Sequence, residues 1–71
     1  MNSLQKLLSS GKPVLSGWTK EGLVYVVIKR CLYEYAIDAA LINRLRKGML
    51  KNPWSELNWL KKNCYSWRKL Y

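Results

Sequence analysis

The chain has 71 residues, 49% of them hydrophobic and including four tryptophans, so it is expected to form one small folded domain, residues 1–71, and not a disordered segment. Thirteen Lys and Arg against four Asp and Glu give a formal net charge of +9, which favours phosphate-rich or otherwise acidic partners. The longest apolar run, Leu23-Val24-Tyr25-Val26-Val27-Ile28, has six residues against the roughly 20 that a membrane-spanning helix needs, so no membrane span is expected.

In chain order, residues 1–10 place Leu4, Leu7 and Leu8 at helical spacing behind Ser3, without the continuous apolar core of a secretory signal. Gly11 and Pro13 stop that pattern, so residues 1–12 read as a short helix or an extended arm. Val14–Trp18 reads as a first, edge strand, and Thr19-Lys20-Glu21-Gly22 as the turn after it. Residues 23–29 form the central strand, β-branched and apolar on both faces, so they require cover on one face and part of the second. A tight turn near Arg30-Cys31 leads to a paired strand over residues 32–36, which carries Tyr33 and Tyr35 on one face.

Asp38 is placed to cap a helix, because a short acceptor takes up orphan amide protons there. On a helical projection Leu41, Ile42, Leu45 and Met49 share an arc toward the sheet, while Arg44, Lys47 and Lys51 fall on the opposite arc with Arg46 at its edge. Gly48 marks a break or kink. Asn52-Pro53 starts a second short helix, with Asn52 as N-cap and Trp54, Leu57 and Leu60 on one face. Residues 64–70 read as a final extended segment lying over the sheet. The expected fold is α+β: a small three-stranded antiparallel sheet, with a fourth short C-terminal segment allowed, covered by one or two short helices.

Charge is uneven along the chain. Residues 1–38 hold five bases and three acids, for +2, whereas residues 39–71 hold eight bases and only Glu56, for +7. Between Asp38 and Glu56 there is no acid, although a solvated helix face usually mixes both signs. Arg44, Arg46, Lys47 and Lys51 therefore form the leading binding face, extended by Lys61, Lys62, Arg68 and Lys69. The aromatics among them, Trp59 and Trp67, suit stacking on unpaired bases while the cations meet phosphates. Core packing is the competing role for Trp54, Trp67, Tyr33 and Tyr35.

Enzyme chemistry finds little support. There is no histidine, so the commonest general base and metal ligand is missing. Cys31 and Cys64 have nearby cations but no orienting base; they read as reduced thiols of a cytoplasmic protein, with a single bridge left open. No cofactor or metal site is expected.

Several pieces in this order resemble the KTSC domain family of short bacterial and phage domains: Ser9-Ser10, Gly17-Trp18, Leu23–Ile28, Tyr33-Glu34-Tyr35, a helix over residues 41–45, Asn58, and Tyr65-Ser66-Trp67. The chain departs from that pattern in lacking a glycine between the two central strands and in placing Ser66-Trp67 where Pro-Tyr is common. The resemblance implies a β-rich α+β domain without defined chemistry. Two functions are thus expected. One is a non-catalytic module binding RNA or DNA through about five phosphates. The other is a small phage-encoded inhibitor, of anti-CRISPR or other anti-defence type, that blocks a host nucleoprotein complex in the host cytoplasm. A homodimer through the Val14–Trp18 edge is a further possible assembly.

Overall fold

A computed structural model of the protein describes residues 11–71. The sequence-based expectations for residues 1–10, Ser9-Ser10 included, lie outside the described residues.

Four strands form one antiparallel sheet in chain order: β1 (Val14–Trp18), β2 (Leu23–Ile28), β3 (Cys31–Ala36) and β4 (Ser66–Lys69). Between β3 and β4 the chain makes a single 3-10 turn (Ala39–Leu41) and two helices, α1 (Ile42–Lys51) and α2 (Pro53–Asn63). This is an α+β fold with four strands, the fourth being the C-terminal segment. That segment lies beside β3 and not over the sheet. Its anchors are main-chain bonds: Tyr65 N–H donates to Ala36 O at 2.7 Å, Leu70 N–H to Leu32 O at 2.8 Å, and Leu32 N–H to Tyr71 O at 2.9 Å. Every β4 side chain is exposed, so no hydrophobic alternation announces the strand.

The register decides which side chains share a face, because directly opposite residues point the same way. Trp18, Val24, Tyr35 and Trp67 form one row across the four strands, and Leu15, Val26, Tyr33 and Lys69 form the next. Leu15 and Trp18, three residues apart, would face opposite sides of a regular strand. A bulge between Leu15 and Gly17 inserts one residue and brings both to the helix side.

On that side Val24, Val26 and Tyr35 pack with Ile37, Ile42, Leu45, Met49, Leu57 and Leu60 into one core. Among the described residues, α1 and α2 cover this face only. The other carries Leu23, Tyr25, Val27, Leu32 and Ala36, all half-buried, with the Arg68 Nε–Glu34 Oε1 ion pair at 2.9 Å across it.

Local chemistry explains the connections. The β2–β3 turn is Lys29-Arg30, one residue earlier than expected, and both residues take positive φ, 50° and 67°. Positive φ at both central positions matches the right-handed twist of the hairpin even without glycine or asparagine. Gly22 sits at φ 96°, and a Cβ there would collide with the Ile37 carbonyl, so only glycine fits. Asp38 caps the 3-10 turn as expected, its carboxylate accepting from Ala40 N–H at 3.0 Å.

Asn52, expected to cap α2, makes no side-chain capping bond; its carbonyl accepts from Glu56 N–H at 3.1 Å, and Pro53 supplies the first turn. Gly48 does not break α1. It lies inside the helix where a Cβ would strike the Glu56 side chain, so its role is to let α1 and α2 approach closely.

Candidate nucleic-acid interface

Helix α1 buries Ile42, Leu45 and Met49 and turns Asn43, Arg44, Arg46, Lys47, Leu50 and Lys51 to solvent. The expected basic face therefore exists, but its members are not equivalent. Arg44 leans toward α2, where its guanidinium pairs with the Glu56 carboxylate and lies 4.0 Å from the centroid of Trp59. Trp59 is half-buried and packs on the core, so it supports Arg44 and is no free stacking surface. Arg46 leans the other way, 4.3 Å over the Trp18 ring at the β1 edge. Lys47 and Lys51, one turn apart, stand between them with no acid within ion-pair distance among the described residues.

The C-terminal cations separate. Alternation along β4 sends Arg68 to the face away from the helices, where Glu34 holds it, while Trp67 and Lys69 face the helix side. Trp67 stacks on Tyr35 with centroids 6.3 Å apart and meets Tyr33 at 6.1 Å, and it remains 60% exposed. Lys61 and Lys62 are exposed in the last turn of α2, where cations suit the helix dipole. Tyr35 is 1% exposed and Tyr33 half-buried, so the tyrosine strand is core scaffold and not a binding platform. Trp54, expected in the core, is instead exposed. Leu57 and Leu60 anchor α2 in the core, with the half-buried Trp59 packed against it.

Two residues absent from the sequence-derived site stand beside Arg46. Trp18 is 45% exposed and Leu50 is 89% exposed. The legible signal for Leu50 was its position one residue past the buried arc, a lone leucine among Arg46, Lys47 and Lys51. Trp18 gave none, because its facing depends on the bulge.

Three of the four acids are accounted for: Glu34 and Glu56 are each paired with an arginine, and Asp38 caps the 3-10 turn. Among the described residues no three of Cys, Asp and Glu gather in a metal-holding group. Cys31 and Cys64 are free and half-buried, and the Cys64 thiol donates weakly to Lys61 O at 3.6 Å. No described helix is long and apolar enough to cross a membrane.

The fold and this surface define a small α+β domain with a four-stranded antiparallel sheet, one helical layer and a cationic outer helix. Compared with protein-family models, curated proteins and solved structures, the chain matches none.

Proposed function

We propose that the protein is a non-catalytic cytoplasmic module that binds RNA or DNA, with Arg46, Lys47 and Lys51 of α1 meeting successive phosphates. The observation that carries this reading is the contrast on one helix. Arg44 is neutralised by Glu56, whereas the three cations beside it have no acidic partner among the described residues. Like charges held this close on a small domain repel unless something negative lies opposite.

The phosphate count falls from five to about three, since Arg44 and Arg68 are engaged internally. The slope of log affinity against log salt is then roughly −2 to −3. Lys47→Glu with Lys51→Glu weakens binding at least about tenfold and alike for all sequences, because phosphate contacts carry no base information. A flat salt response, or an unchanged double variant, in anisotropy titrations of mixed oligonucleotides rules this reading out.

A second reading draws on the opposite edge, where Tyr65, Trp67 and Tyr71 are exposed together around β4. Aromatics in that state suit a protein interface. The protein would then be a phage-encoded inhibitor docking on a nucleoprotein complex of its host. Pull-down from bacterial lysate separates the two: one stoichiometric protein surviving nuclease treatment favours the inhibitor, and loss of all partners favours direct nucleic-acid binding.

A further inference from the structure

A groove of about 520 Å³ runs between β1 and the C-terminal half of α1. Among its lining residues Met49 is buried and Leu15 half-buried, whereas Trp18, Leu50, Arg46 and Lys51 are exposed. The composition is polarised. Seven of its lining residues are apolar, the other three are basic, and none is acidic or neutral polar. An occupant with an apolar face and an adjoining negative charge complements this lining.

The bulge and the helix build this site together. Ser16 as the extra residue turns Trp18 to the helix side, and Arg46 lies on its ring, which holds the guanidinium beside the groove; one of its nitrogens donates a long bond to Asn43 Oδ1 at 3.5 Å, and an anion can compete for it. Leu50 is nearly fully exposed on a helix whose other outward residues are polar, and an occupant of the groove would cover it. The same bulge interrupts the β1 ladder, which works against an extended peptide adding a regular strand to that edge.

From this geometry we infer that the groove takes one unpaired base of a single-stranded nucleic acid, with the phosphate beside it held by Arg46 and Lys51. The inference rests on the function proposed above and adds strand selectivity to it. A base in a duplex is stacked and paired and cannot enter, whereas an unstacked base can lie against Trp18 and Leu50.

The test compares a short labelled single strand of mixed sequence, the same strand with abasic sites, and its duplex. Wild-type protein should bind the intact single strand more tightly than either of the others. Trp18→Ala should weaken single-strand binding by about 5- to 150-fold, the range for one base–aromatic stack, and lower duplex affinity by much less, through Arg46 alone. Leu50→Glu, at a site where no packing is lost, should act in the same direction while melting like wild type. Equal affinity for all three probes, or a Trp18→Ala protein that binds the single strand as wild type whatever protein partner it loses, overturns the inference. If the salt slope persists with all three probes bound alike, the phosphate-binding function survives and only the base site is lost. No binding to any probe overturns both.

Discussion

Arg44 and Arg46 are two residues apart on one helix, and tertiary contacts give them different work. Arg44 is held between Glu56 and Trp59, and Arg46 lies over Trp18 at the opposite edge. Glu56→Gln should therefore release Arg44, raise the affinity for oligonucleotides a few-fold, and lower stability by up to about 1 kcal/mol as a half-exposed pair is lost. Titration with labelled strands and a thermal melt read the two effects separately. Tyr35 makes a second residue-level case. Burial, with Tyr33 and Cys64 nearby adding to it, pushes its phenol above the ordinary value near 10. The folded state thus holds the proton more tightly than the unfolded one. Its contribution is fully present below about pH 10 and is lost as pH rises through the raised folded value. Denaturant melts from pH 9 to 12 should show that decline, and Tyr35→Phe should flatten part of it. Tyr25, hydrogen-bonded to the Glu34 carboxylate, is shifted the same way and accounts for some of the remainder.

Elements differ in how openly their residues announce them. The Leu23–Ile28 strand was legible because β-branched and aromatic residues dominate an uninterrupted apolar run, and α1 because Ile42, Leu45 and Met49 recur at helical spacing. The β4 strand was legible only as a vaguely extended tail. Its Ser-Trp-Arg-Lys run is held by backbone bonds to β3, and those leave no pattern in side chains. The β2–β3 turn was displaced by one residue because Lys29 and Arg30 hold positive φ without the residue types that favour it. That strain gives an element-scale prediction. Arg30→Gly should stabilise the protein by about 1 kcal/mol, raising the melting temperature by roughly 4–8 °C for a domain of this size. Gly22→Ala should do the reverse, by roughly 1–3 kcal/mol, because the Ile37 carbonyl occupies the space.

At the scale of the fold, a single-layer sheet with α1 and α2 on one face leaves a small core, nine buried side chains among the described residues, so modest stability is expected and ligand binding should be visible in it. A single strand at about 100 times its dissociation constant adds about 2.7 kcal/mol, which should raise the melting temperature by roughly 10–20 °C at low salt and much less at high salt. Differential scanning fluorimetry with and without oligonucleotide checks it. By itself the sequence determined the α+β class, the strand pair at the centre, the amphipathic first helix and the concentration of positive charge in the C-terminal half. Periodicity and composition are local, so a single chain carries them openly. Only the tertiary structure decided which cations are free, that Arg68 faces away from the helices, that Trp54 stays out of the core, and that a bulge turns Trp18 toward Arg46. Each of those depends on register and on which side chain arrives opposite, and strand pairing and helix packing settle both.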